Sequence, residues 1–335
     1  MILVTGGTGL VGSHLLYKLI SNNELVRAIY RKPKKIENTK KVFSCYTDNY
    51  EALFNKIEWV QADLLDIPTL TEVFRGVLHV YHCAAFVSFE PNKFNLLRRT
   101  NIDGTANIVN LCLAFGVVKL CHVSSIATLG NSLNNEAVTE KTIWNPEDDN
   151  NVYAISKYGA EMEVWRGTQE GLDVVIINPG VILGAGIWRY GTGNLFKKAA
   201  KGLSYYTQGT VALIDVSDVV NIMIALIKSD IKNERFVLVA EHKTFKDFLQ
   251  SLAISVNGKP PKKRAKPWLL NIAWRLDWLI STLTGKRRQL TKHLTRSLST
   301  KSNYNNQKIK DTLNYNFKNI DESISQIGTI YQKQV

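Results

Sequence analysis

Three observations predict a doubly wound α/β fold of the Rossmann type, a parallel sheet with a smaller C-terminal substrate-binding lobe. Strand-length apolar runs alternate with helical patterns through the first 180 residues, and a glycine-rich turn follows the first run at once. Many of the runs are apolar at consecutive rather than alternate positions. That pattern belongs to strands buried on both faces, as in a parallel sheet sandwiched between helices. With 45% hydrophobic and 21% charged residues in 335, the composition excludes disordered, collagenous and repeat classes.

In chain order, the pattern predicts strands over residues 2–5, 25–30, 57–61, 77–84, 117–124 and 172–178, with helices over 10–21, 93–115 and 152–171. These make residues 1–180 a cofactor-binding domain. After Pro179 the pattern becomes irregular: a loop with Gly184, Gly186, Gly191 and Gly193, a short strand at 211–214, a helix at 216–228 and a strand at 236–240. Residues 181–335 therefore read as the smaller lobe, interleaved with the first domain near 211–240.

The formal charge of +13 is unevenly placed. Residues 231–335 hold 20 Lys and Arg against 7 Asp and Glu, while residues 1–230 hold 22 of each. Nucleic acid is not an expected partner, because no recognition motif accompanies the excess. Within 259–300, the clusters Lys262-Lys263-Arg264-Lys266, Lys286-Arg287-Arg288, Lys292 and Arg296 flank a tryptophan-rich segment from Pro267. On a helix, Leu269, Ile272, Leu276, Leu279, Ile280 and Leu283 make one stripe, widened by Leu270, Trp274 and Trp278. Two readings stand: a lid helix packed on the substrate lobe, or an interfacial helix giving 267–296 a peripheral membrane contact. The apolar start at Met1-Ile2-Leu3-Val4 leaves no room for a leader, so a cytoplasmic location, with that peripheral contact as an addition, is expected. Cys45, Cys83, Cys112 and Cys121 form no CxxC pair and read as reduced thiols, and no metal site is expected.

Thr5-Gly6-Gly7-Thr8-Gly9-Leu10-Val11-Gly12 joins the first strand to the first helix. Gly6 permits the tight turn, Gly9 lets backbone approach a pyrophosphate at the helix N-terminus, and Gly12 allows close helix–strand packing. Where an NAD site usually places an acid after the second strand, this chain has Tyr30 followed by Arg31. Arg31 can pair with a 2′-phosphate, so NADP(H) is the preferred cofactor, with NAD(H) as the alternative. Asp63 and Leu64 suit the adenine, and Ala84 and Ala85 give small side chains where backbone passes under the cofactor. Tyr153 and Lys157 lie one helical turn apart on one face, where the ammonium favours the phenolate. Ser125, five residues before Gly130, is chosen over Ser124 as the hydroxyl that orients a carbonyl or alcohol.

In this order, TGGTGLVG, DLLD, HCAA, TNIDGTANIV, SSIA, YAISK and NPGVILG resemble the extended short-chain dehydrogenase/reductases of the epimerase/dehydratase superfamily, over residues 1 to about 220. VRAIYR, HCAAFVSF and SSIATLG look most like the dihydroflavonol 4-reductase and 3β-hydroxysteroid dehydrogenase branch. The resemblance implies Tyr153 as acid/base, Lys157 on the ribose hydroxyls, Ser125 as orienting hydroxyl and Asn101 as a buried support. It also implies cofactor contacts from Pro179 and Val181. The expected activity is NADP(H)-dependent interconversion of a ketone and a secondary alcohol on a hydrophobic small molecule, received by apolar loops around 86–94 and 188–206. Ile126 and Ala127 stand where sugar-nucleotide dehydratases carry an acid pair, which argues against that chemistry. Two alternatives stay open: a sugar-nucleotide epimerase with bound NAD, its diphosphate clamp drawn from Trp188-Arg189-Tyr190 or Arg235, and a non-catalytic NADP-binding sensor or scaffold. A homodimer through the helices at 93–115 and 152–171 is a further expectation.

Overall fold

The computed structural model describes residues 1–131, 136–284, 288 and 290–335. Up to Pro179, strands Ile2–Thr5 (β1), Val26–Tyr30 (β2), Glu58–Gln61 (β3), His79–His82 (β4), Lys119–Val123 (β5) and Val174–Pro179 (β6) alternate with helices. The helices are Leu10–Ser21 (α1), Ile36–Phe43 (α2), Tyr50–Phe54 (α3), Ile67–Val73 (α4), Phe94–Leu97 (α5), Gly104–Ala114 (α6) and Val152–Gln169 (α7). Beyond them come Val181–Leu183 (β7), Gly193–Ala200 (α8), Tyr205–Tyr206 (β8), Thr210–Asp215 (β9), Val216–Lys228 (α9), Glu234–Leu238 (β10) and Glu241–Thr244 (β11). The chain ends with Phe245–Ser255 (α10), Lys263–Arg264 (β12), Pro267–Thr284 (α11), Lys292–Ser297 (α12), Gln307–Leu313 (α13) and Ile320–Gln334 (α14).

Seven strands form one sheet in the order β10-β6-β5-β4-β1-β2-β3, every pairing parallel. The order reverses at β1, which pairs with β2 on one side and β4 on the other, and ligands of open α/β sheets bind at the strand ends beside such a reversal. Consecutive apolar residues are explained by two cores. Ile2 and Val4 pack with Leu15, Leu19, Val219 and Met223 on the α1/α9 face, and Leu3 packs with Val80, Ile108 and Leu120 on the other.

One expectation needs adjustment. The helix expected over 93–115 is broken: α5 is joined to α6 by a π-helical turn, Arg98–Asp103. After residue 180 the chain returns to the first domain within 211–240: β10 adds to the main sheet and α9 packs on α1. The lobe proper holds β7, β9 and β11 as a small sheet, with Phe196, Phe248, Leu252, Ile320 and Ile324 in its own core.

Most of the stripe on α11 is uncovered. Ile272, Leu276, Leu279, Ile280 and Leu283 are exposed, as is Trp268 beside them, and the half-buried side is that of Leu269, Leu270, Ala273, Trp274 and Asp277. Of the basic clusters around it, Lys286 and Arg287 lie outside the described residues. No helix among the described residues is long and apolar enough to cross a membrane.

Candidate active site

The glycine-rich turn is shaped by contacts that leave no room for side chains. Gly6 has φ +69°, and a Cβ there would lie 2.6 Å from the Ala84 nitrogen. A Cβ on Gly12 would sit 2.3 Å from the Gly6 carbonyl oxygen, so α1 can approach the turn only with glycine at that position. Thr8 and Gly9 complete the turn, Gly9 N–H donating to Gly6 O at 2.9 Å. Leu10 and Val11 open α1 and lean on the α1/α9 core. No side chain caps the α1 N-terminus and no acid lies in its first turn. An N-terminus left in that condition suits a diphosphate, so these residues fit a dinucleotide.

Around the turn, Arg31 follows β2 and stands 3.8 Å from Asp63, both partly exposed. The Asp63 carboxylate also accepts from Leu65 N–H. Leu64 is buried beneath Gly104, and its carbonyl accepts from Asn107 Nδ2 at 2.8 Å. Ala84 and Ala85 leave the end of β4, and Pro179 and Val181 flank Gly180 where β6 passes into β7. The structure thus gathers the expected cofactor residues along the carboxyl ends of β1, β2, β4 and β6.

A relay of four hydrogen bonds fixes the floor of the site. Thr105 donates to the Asn101 carbonyl at 2.5 Å, so its oxygen accepts from His82 Nε2 at 3.0 Å. His82 Nδ1 is then the acceptor for Thr5 O–H at 2.7 Å, and Thr5 in turn accepts from Ala84 N–H at 3.2 Å. His82 is therefore the neutral Nε2–H tautomer, and burial, with Lys157 adding, pulls its pKa down to about 3. His122 on β5 lies against its ring, with centroids 5.2 Å apart.

Asn101, carried inward by the π-helical turn, is buried. Its Oδ1 accepts from Phe86 N–H at 2.7 Å, and its Nδ2 donates to Phe86 O and Ser156 Oγ, both at 3.0 Å. It clamps the loop after β4 to α7. A mid-helix π turn at this position spends regular hydrogen bonding to aim one side chain.

Ser125 leaves the end of β5 with its hydroxyl beside the Tyr153 phenol and accepts from Ala127 N–H at 3.1 Å. Phe89 meets the Tyr153 ring edge-on at 5.4 Å. Burial pushes the phenol above its ordinary pKa, with the Ser125 hydroxyl acting the other way. This departs from the expectation that Lys157 lowers it. Lys157 Nζ is buried and donates to the Val123 carbonyl at 2.8 Å, which turns its charge toward β5. Desolvation pulls the Lys157 ammonium down to about 8, against the raising effect of Glu161 and Cys83.

Glu161, one more turn along α7, was not singled out in the sequence. It is fully buried and accepts from Ser124 Oγ at 2.5 Å, Thr128 Oγ1 at 2.7 Å and Asn178 Nδ2 at 2.9 Å on one oxygen. Its other oxygen pairs with Arg235 Nη1 at 3.0 Å. The i, i+4, i+8 spacing Tyr153-Lys157-Glu161 was the available signal. Arg235 also donates to the Glu140 carbonyl and is thus committed to structure, not to a diphosphate clamp. Trp188 is likewise engaged, with its ring against Phe196 and Tyr331 and its Nε1 donating to Gln334. Tyr190 accepts from Asn38 Nδ2 and lies under Lys35.

The sequence model of the NAD dependent epimerase/dehydratase family matches residues 2–239. The chain belongs to that family. It is an NAD(P)-dependent enzyme of the extended short-chain dehydrogenase/reductase type. A putative dihydroflavonol 4-reductase of Synechocystis sp. is 29% identical over 84% of this chain and 80% of its own length. Sterol demethylase protein B of Methylococcus capsulatus is 28% identical over 79% and 77%. Among solved structures, that of gox2253 superposes with a TM-score of 0.81 at 24% identity over 99% of this chain and 98% of that one, a likeness of fold. Within the matched residues, Tyr153 and Lys157 lie one turn apart on α7, and Ser125 lies at the end of β5.

Proposed function

We propose that this family member is an NADP(H)-dependent oxidoreductase interconverting a ketone and a secondary alcohol on a hydrophobic small molecule. The observation that carries the reading is the placing of the Ser125 hydroxyl beside the buried Tyr153 phenol at the carboxyl end of β5, near the reversal in strand order. A phenol held above its ordinary pKa is protonated at neutral pH and suits the acid in carbonyl reduction. Ser125 and Tyr153 hold the substrate oxygen between them. When bound, the nicotinamide supplies hydride to the carbonyl carbon. The Tyr153 O–H proton passes to the oxygen, giving the alcohol and leaving a phenolate that Ser125 helps to hold and that solvent reprotonates. Phe89 on Tyr153 and the exposed Val87 make the approach apolar. The names of two relatives, which refer to a dihydroflavonol and a sterol, favour an apolar ring substrate.

The test is Tyr153→Phe in purified enzyme on a panel of apolar ketones and alcohols: kcat falls by ~10²–10⁴ with cofactor affinity retained. Normal turnover would overturn the mechanism. Protein-bound NAD released on denaturation, with a UDP- or GDP-sugar converted without net redox change, would favour the epimerase reading instead.

For the cofactor, the loose and exposed Arg31–Asp63 pair leaves the guanidinium available to a 2′-phosphate. Arg31→Ala is expected to weaken NADPH binding by ~10–100-fold, the loss of one charge-assisted pair, and to leave NADH nearly unchanged. Equal loss of both, or none, counts against NADP(H).

A further inference from the structure

We propose that α11 is a docking surface for an anionic lipid bilayer, lying in the plane of the interface with its exposed apolar face in the headgroup region. Trp268, Ile272, Leu276, Leu279, Ile280 and Leu283 project within about a third of the helix circumference and are exposed. They run roughly 22 Å along the axis at 1.5 Å per residue. An apolar band of that length on a monomer surface marks an interaction site.

Charge selects the occupant. Lys259, Lys262, Lys263, Arg264 and Lys266 are exposed and lead directly into the helix, and exposed Lys292 follows it. The one acid between 259 and 296 is Asp277, and it lies on the half-buried side, accepting from Leu290 N–H at 3.0 Å. An apolar face with a tryptophan near one end and cations at both ends is complementary to acyl chains under anionic headgroups. The charged residues in the segment and its modest apolar length fit a helix that lies on a bilayer and does not cross it.

The helix is anchored to the enzyme by ties that would transmit its position. Leu290 leads into α12, and α12 pairs Arg296 with Asp149 at 2.6 Å, four residues before Tyr153. A docked α11 therefore holds the segment that enters the catalytic helix close to the bilayer surface. The proposal does not depend on the identity of the substrate.

The experiment is flotation of the full-length protein with vesicles of phosphatidylcholine alone or of phosphatidylcholine and phosphatidylglycerol at 7:3. The wild type is expected to float with the anionic vesicles in 0.1 M salt. It should partition at least tenfold less with neutral vesicles or in 0.5 M salt. Leu276→Asp with Leu279→Asp should lose at least tenfold in partition, and Lys262→Gln, Lys263→Gln and Lys266→Gln together should do the same. Because all five side chains are exposed, thermal midpoints and NADPH binding stay at wild-type values, which separates lost docking from lost folding. Absence of flotation by the wild type overturns the proposal, as does flotation unaffected by the double aspartate change. Concentration-dependent self-association that the same change abolishes, without flotation, would assign the face to a second copy of this chain and overturn it too.

Discussion

Ser124 donates to Glu161 at 2.5 Å across the buried interface between β5 and α7, and this bond gives the two adjacent serines different jobs. Ser124 is locked to the hub, which also takes Thr128 and Asn178. Ser125, pointing the other way, is left to meet Tyr153. The chain segment that presents Ser125 is thus fixed from behind by a fully buried carboxylate.

Removing that carboxylate should destabilise the protein as well as the site. Glu161→Ala leaves Arg235 without its acidic partner and removes the acceptor that Ser124, Thr128 and Asn178 share. Unfolding in urea at pH 7 should show a loss of ~3 kcal/mol, the usual scale for breaking a buried pair from one side. Glu161→Gln keeps one acceptor oxygen and should cost less. An alanine variant within ~0.5 kcal/mol of wild type, the range of ordinary surface changes, contradicts the hub.

Gly12→Ala tests the close approach of α1 to the glycine-rich turn. The added Cβ meets a backbone oxygen that cannot step aside, so helix and turn must separate, at a cost of ~1–3 kcal/mol. NADPH affinity, followed by fluorescence titration, should fall at least tenfold. Gly116→Ala is the control: its φ is +65° but open space surrounds it, so stability drops by ~1 kcal/mol and cofactor binding stays.

Asn101→Ala frees the loop after β4. Phe86 N–H and C=O lose their partners, at a cost of ~1–3 kcal/mol. Because Phe89 on the same loop meets Tyr153, KM for the substrate should rise more than kcat falls. Unchanged kinetics in a destabilised variant would assign Asn101 a purely structural role.

Acid sensitivity should begin near neutrality. Burial lowers His82 to about 3 and His14 to about 4 from the ordinary 6.5. The stability they contribute is fully present above 6.5, where both states are neutral, and is lost as pH falls through that window because only the unfolded chain takes up the protons. Between pH 6 and 4 the two should give a slope of ~2.7 kcal/mol per pH unit at most, one 1.36 kcal/mol step per proton. Urea midpoints that stay level from pH 7 to 5 would contradict these shifts.

Much of this protein was legible in its sequence because the signals are local. The glycine spacing dictates a turn that only glycine fits, and the consecutive apolar residues of β1, β5 and β6 report two covered faces. Tyr153 and Lys157 share a helix face by periodicity alone. Less legible were features that depend on distant partners. The π-helical turn that swings Asn101 inward has no composition signal, since Arg98–Asp103 reads as ordinary helix. Arg235 and Trp188, which looked free to bind a ligand, were already paired within the fold.

Taken by itself, the sequence determined the sheet class, the turn at the head of α1, the tyrosine–lysine face and the cationic bias of the last third, all set by backbone sterics, helix period and charge count. Only the tertiary structure decided what each polar group answers to. Lys157 donates to Val123 and leaves the Tyr153 pKa to burial, Glu161 becomes the hub, and the apolar face of α11 stays outside every core. Those outcomes depend on which groups meet across the sheet and which are withdrawn from water, and neither is encoded at any single position in the chain.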